Sequence, residues 1–189
     1  MDKLNEMTHY RIRKILQSPL FSKKFIDSTI RCNDYVVNNK IYDIEGITNS
    51  VIALYVIGCI ENMRINLCYG LCEFLSQNQF FHVWIEANAH IIDLTITSMV
   101  NNVFSNYGIK LITPFIDIRY ENNDIIDYHP YTFQENWQYH YITTYQGKSV
   151  CDYIKDYPKV WEIVEIIYNE KLSEKKKEEY LTILKDRII

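Results

Sequence analysis

The sequence predicts an α+β fold in a single domain spanning residues 1–189, and three observations predict it. Apolar residues recur at helical spacing through the first third of the chain. They switch to period-two alternation around "QFFHVWIEA", and they return to helical spacing beyond Pro158. Helices, then strands with short connections, then helices is the order of an α+β layout with an antiparallel sheet. Composition agrees with one packed core: 48% of residues are apolar and 23% charged, and five glycines and four prolines leave little material for a linker.

The elements follow in order. "LNEMTHYRIRKIL" places apolar residues on one helix face, and Pro19 in "SPLF" ends it. "SKKFIDSTIRCNDYVV" predicts a second helix with Ser22 as its N-cap. "DIEGITNS" reads as a turn-rich connector. "VIALYVIGCI" is apolar on nearly every side, which predicts a buried helix too short to cross a bilayer. "LCYGLCEFLSQN" spaces Leu67, Leu71, Phe74 and Leu75 along one face and predicts a helix that begins near Cys68. "QFFHVWIEA" and "HIIDLTI" read as two strands of a hairpin, and "IKLITPFIDIRY" and "WQYHYITTY" as further strands. The C-terminal part splits into two amphipathic helices near Ser173.

Composition also excludes functions. A formal net charge of −4 argues against a phosphate-backbone binder, and "KLSEKKKEEY" reads as one solvated helix face. The five cysteines, with no signal peptide, predict free thiols and a cytoplasmic location. No membrane segment, nucleic-acid partner, metal or other cofactor is expected.

The hairpin concentrates the chemistry. Side chains alternate across a sheet, so His82, Trp84 and Glu86 share one face, and Ile91, Asp93 and Thr95 share one face of the returning strand. A two-residue loop at Asn88 and Ala89 sets Trp84 opposite Asp93 and makes His82 and Asp93 diagonal neighbours. A carboxylate there fixes the imidazole tautomer and leaves the second ring nitrogen as a base. The reading gives Asp93 this orienting task and little share in stability. Cys68, at the start of the predicted helix, is the matching nucleophile. A helix N-terminus stabilises a thiolate and offers N–H donors to an oxyanion. Its thiol is therefore expected to ionise below the range of a free cysteine, ahead of Cys72 one turn deeper.

"HVWIE" followed by "IIDLT", with a cysteine upstream, resembles the transglutaminase-like branch of the papain-type thiol enzymes. The resemblance covers residues 60–97. It implies a helix led by the catalytic cysteine and packed on an antiparallel sheet, with histidine and aspartate on adjacent strands. The roles it implies fall on Cys68 as nucleophile, His82 as base and Asp93 as orienting residue. Trp84 matches the tryptophan after the histidine, and Asp93 and Thr95 match a D-x-T motif. Asn66 is the candidate side chain for the oxyanion, and Trp84 a wall for substrate. The implied activity is cysteine-dependent acyl transfer: attack on a peptide or protein amide, then passage of the thioester to water or to an amine.

Other readings stand beside it. The scaffold can be a catalytically inactive module that binds a protein, for which sixteen tyrosines are suited. A small structural partner protein is a third class. Cys68, Cys72, His82 and His90 could hold zinc, although His90 has the opposite strand parity to His82. Glu86 is given a structural role, and His9 a place on the surface. His129 and His140, among the tyrosines of "YHPYTFQENWQYHY", are candidates for a groove rim.

Overall fold

The computed structural model describes residues 3–17, 19–74, 78–88, 90–96, 115–116, 125–128, 139–145 and 150–187. Three helices come first: α1 (Lys3–Ile15), α2 (Lys23–Asn38) and α3 (Ile44–Ile60). Ser22 caps α2 by accepting from the Phe25 N–H at 3.0 Å, as its position predicts. Asp43 caps α3 by accepting from the Gly46 N–H at 2.7 Å, so "DIEGITNS" forms the first turns of a helix and not a connector. Its Asp43-x-x-Gly46 spacing is that of an N-cap bond, whose acceptor satisfies one of the helix's free N–H groups.

α3 is apolar around its circumference because it is central. Val51, Ile52, Ala53, Leu54, Val56 and Ile57 are all buried. Three more helices close the fold: α4 (Val150–Asp156), α5 (Lys159–Tyr168) and α6 (Glu174–Asp186). Pro158 precedes α5, Asn169 ends it in the left-handed conformation at φ 57°, and Ser173 caps α6.

Among the described residues, six antiparallel strands form one sheet in the order β4-β3-β2-β1-β6-β5. They are β1 (Ile65–Phe74), β2 (Asn78–Ala87), β3 (His90–Asp93), β4 (Phe115–Ile116), β5 (Ile125–Tyr128) and β6 (Tyr139–Tyr145). β2 and β3 pair Ile85 with Ile92, Glu86 with Ile91 and Ala87 with His90, the register that a two-residue loop requires. Asn88, at φ 50°, takes the left-handed backbone of the turn, and its side chain donates to the Leu20 carbonyl at 2.9 Å.

The helix expected to begin at Cys68 is strand β1. Ile65, Leu67, Tyr69 and Leu71 alternate with Asn66, Cys68, Gly70 and Cys72, and that period-two pattern prevails over the helical spacing of Leu67, Leu71 and Phe74. β1 pairs with both β2 and β6, so strand pairing on two sides fixes its conformation. The cysteine-led helix expected from the resemblance is therefore not formed at Cys68. The helix that packs on the sheet is α3, and its one cysteine, Cys59, lies at its C-terminal end.

The two faces of the sheet have different tasks. Ile65, Val83, Ile85, Ala87 and Ile92 join residues of α1–α6 in one hydrophobic cluster. Gly58 of α3 admits Ile65 so closely that a Cβ there would lie 2.4 Å from Ile65 Cδ1. Cys68, Trp84 and Ile91 have the opposite parity. They are buried yet stand outside that cluster. No helix among the described residues is long and apolar enough to cross a membrane.

Candidate functional site

The candidate site is the sheet face turned away from α3. Pairing sets Cys68 of β1 directly across from Trp84 of β2, with Gly70 across from His82 and Asn66 across from Glu86. Directly paired residues share a face, so Asn66, Cys68, His82, Trp84 and Glu86 all belong to this side. Asp93 follows from β3 on the same side, by the register of Glu86 with Ile91.

His82 and Asp93 meet as diagonal neighbours. His82 Nε2 lies 2.6 Å from Asp93 Oδ2, and both side chains are fully enclosed. Asp93 Oδ1 accepts three further bonds: from the Thr95 N–H at 3.1 Å, the Thr95 hydroxyl at 3.0 Å and the Ile96 N–H at 2.9 Å. Every partner is a donor, so the carboxyl group acts as acceptor throughout. The imidazole turns its Nε2–H to it. The D-x-T motif is thus an Asx-type turn that ends β3 and locks the carboxylate. Asp93 therefore holds the backbone beyond β3 as well as the imidazole, contrary to the small structural share the sequence reading gave it.

Trp84 is fully buried and stacks on His82, with ring centroids 6.4 Å apart and planes 19° from parallel. Its indole Nε1–H donates to Glu86 Oε1 at 3.3 Å. Cys68 and Glu86 are diagonal neighbours across β1 and β2, and both are buried. Burial pushes the thiol well above its ordinary range, and the adjacent Glu86 carboxylate pushes it further up. Burial likewise raises the Glu86 carboxyl, while the bond from the Trp84 indole partly offsets this. The expectation of a depressed Cys68 pKa is overturned. The strand offers no helix dipole, and the group beside the sulfur is an acid and not an imidazolium.

The face therefore carries one buried pair, His82 with Asp93, with Trp84 stacked on the imidazole and with Cys68 and Glu86 buried on the same side. Asn66, the candidate oxyanion donor, is exposed and lies across from Glu86. His90 keeps the parity expected of it: its ring meets the edge of Phe21 at 5.5 Å, on the helix side, which takes it out of the zinc reading. Among the described residues no group of three or more histidine, cysteine and carboxylate side chains could hold a metal ion. The Cys72 side chain and His129 lie outside the described residues, as does the side chain of His140. His9 is buried and pairs with Asp34 at 2.7 Å across α1 and α2, so it is not a surface residue.

Glu86 is the site residue whose part the sequence reading missed. Its signal was its parity, which it shares with His82 and Trp84. No known family model matches the sequence, and no curated protein or solved structure matches it either.

Proposed function

We propose that this chain is a transglutaminase-like module that binds a peptide or protein partner and carries no activated cysteine. One observation carries the reading: Cys68 sits within strand β1, buried, and not at the head of a helix. A nucleophilic cysteine needs thiolate character and access, and burial beside an acid opposes both. The His82–Asp93 pair then acts as an internal brace, and its geometry is what the scaffold retains of the chemistry its motifs resemble. Exposed tyrosines support binding: Tyr10, Tyr42 and Tyr157 are 67%, 44% and 38% exposed. Tyrosine supplies contact area at small entropic cost.

The second reading is cysteine-dependent acyl transfer, and the 2.6 Å His82–Asp93 contact favours it. There the Cys68 side chain meets the His82 ring, two residues along the neighbouring strand from Trp84, and His82 takes the thiol proton. The thiolate attacks an amide carbonyl, the amine leaves with that proton, and water or a second amine cleaves the thioester. Alkylation by iodoacetamide at several pH values, with each cysteine quantified by peptide mapping, separates the two readings. The binding reading expects Cys68 to label slowly at neutral pH, at a rate that His82→Ala leaves unchanged. Fast labelling of Cys68 that collapses in His82→Ala would overturn it in favour of acyl transfer.

A further inference from the structure

We infer that the groove between α4, α5 and α6 is a docking site for a short peptide segment of a partner protein, one that carries a single arginine or lysine. Glu162 and Glu178 receive the cation, and Trp161 and Leu181 receive its alkyl stem. The inference rests on the reading of the chain as a binding module. It adds where the partner sits and which side chain it presents.

Three helices enclose the groove. Its volume is about 500 Å³, and Ile154 of α4, Trp161 of α5 and Leu181 of α6 supply its apolar lining. Ligand clefts occupy roughly 300–1,000 Å³, so this one admits a side chain or two with their backbone and not a whole helix. Its walls are held in place before any partner arrives. The Cys151 thiol of α4 donates to the Leu181 carbonyl at 3.7 Å, which ties α4 to α6. Trp161 of α5 meets Tyr180 of α6 with ring centroids 6.5 Å apart. At the link between α5 and α6, the Leu172 N–H donates to Glu165 Oε1 at 3.1 Å. A preformed cleft avoids part of the ordering cost of binding.

Charge selects the occupant. Two of the lining carboxylates are already answered: Glu174 pairs with Lys177 at 2.8 Å, and Glu165 with Lys171 at 2.9 Å. The lining Lys155 is likewise paired with Asp152, at 3.2 Å. Glu162 of α5 and Glu178 of α6 are exposed at the groove and have no ion pair among the described residues. They stand on different walls, so a cation between them meets both. Lys159 is the lining cation that has no ion pair among the described residues. Two carboxylates against one ammonium leave a net attraction for a partner's cation. The ammonium also sets a limit, because a run of several basic residues would meet it. Arginine and lysine have the matching shape, with an apolar stem for Trp161 and Leu181 below a charged head. Tyr157 precedes the lining Pro158, is 38% exposed and stacks on Tyr153 at 4.5 Å, so a rigid aromatic ring flanks the site.

The probe is a blocked pentapeptide with arginine at its centre and leucine and alanine around it, titrated into the full chain by isothermal titration calorimetry. Saturable binding in the submillimolar range is expected, and it should weaken as salt rises. Glu162→Gln combined with Glu178→Gln should weaken it about fivefold, the loss of two exposed charge pairs. Both side chains are exposed, so the fold should survive, and an unchanged Tm checks this. Exchanging the probe's arginine for glutamine should cost the same factor in the wild type and nothing further in the double variant. No saturable binding at millimolar peptide, or binding that the double variant leaves unchanged, overturns the inference. Spermidine binding as tightly as the peptide also overturns it, since the groove would then serve free amines. A dimer that the double variant dissolves in sedimentation overturns it too, in favour of a second copy of the chain. Rapid labelling of Cys68 at neutral pH would remove the binding reading itself, whereas slow labelling with no peptide binding removes the docking site alone.

Discussion

Replacing Asp93 by alanine should damage the fold well before any question of function arises. The substitution strands the His82 Nε2–H, the Thr95 and Ile96 N–H groups and the Thr95 hydroxyl in a fully buried place. A buried donor left without its acceptor costs about 1–3 kcal/mol. The two backbone donors resemble a lost helix cap, at about 0.5–2 kcal/mol. The hydroxyl can rotate toward another acceptor, and the four losses are not additive, so a total of about 3–5 kcal/mol is reasonable. That is a large part of the roughly 5–15 kcal/mol by which domains are stable. For a chain of this size it corresponds to a fall in Tm of roughly 6–20 °C. Asp93→Asn is the informative companion. Its oxygen still serves Thr95 and Ile96, while its NH2 faces His82 and forces the other tautomer at about 1 kcal/mol. Urea unfolding followed by circular dichroism gives both free energies, and nitrogen NMR of the imidazole reports the tautomer. The proton should sit on Nε2 in the wild type and on Nδ1 in Asp93→Asn. A loss below about 1 kcal/mol for Asp93→Ala would refute the account of Asp93 as the hub of this face.

Three other outcomes follow from the geometry. Gly58→Ala forces a methyl to within 2.4 Å of Ile65 Cδ1, so overpacking of about 1–3 kcal/mol should outweigh the roughly 1 kcal/mol gain in helix propensity; adding Ile65→Val should restore most of the loss, and a stable single variant would count against it. Ser22→Ala removes both the cap on Phe25 and the 2.7 Å bond to Glu61, at about 1–2 kcal/mol; Ser22→Asp should recover only part of this, because the new carboxylate faces Glu61, and full recovery would deny Glu61 any share. Glu86 has a raised folded pKa, caused first by burial, so it binds its proton more readily folded than unfolded. Its penalty is absent below the ordinary carboxylate range, grows as pH rises through that range, and is complete above the raised folded value. The stability of Glu86→Gln relative to wild type should therefore increase with pH across that window, and a difference that stays flat with pH would show the carboxylate to be adequately solvated.

The helices were legible where local chemistry decides them. Ser22 marks its cap in the sequence, the split between the C-terminal helices falls near Ser173, and the apolar run 51–60 announces a buried helix. Asp43 was equally readable as a cap, but Gly46 within the first turn drew attention toward a connector. The β2–β3 register was legible because a two-residue loop and strict alternation leave one solution, and the His82–Asp93 contact follows from it. β1 was not, because "INLCYGLCEF" satisfies period two and helical spacing at once. Only pairing with β2 and β6, a non-local event, separates them. The place of Cys68 across from Trp84 was hidden for the same reason: with Cys68 assigned to a helix, nothing set it against β2.

Arg187 gives the chain a timetable. Its guanidinium donates to the Met63 carbonyl at 2.5 Å and to Asn62 Oδ1 at 2.9 Å, across sequence separations of 124 and 125 residues. Those acceptors belong to the turn that launches β1, and Asn62 holds the left-handed φ of 55° there. During synthesis that turn leaves the ribosome long before the arginine does, at roughly 5–20 residues per second. The strand bearing Cys68 must therefore wait several seconds for the clamp on the turn before it. Until then a two-sided strand with an apolar face is exposed to mispairing, the kind of delay in which chaperones act. A tag or truncation that disturbs Arg187 should thus show itself first as aggregation of newly made chains, with the finished protein less affected.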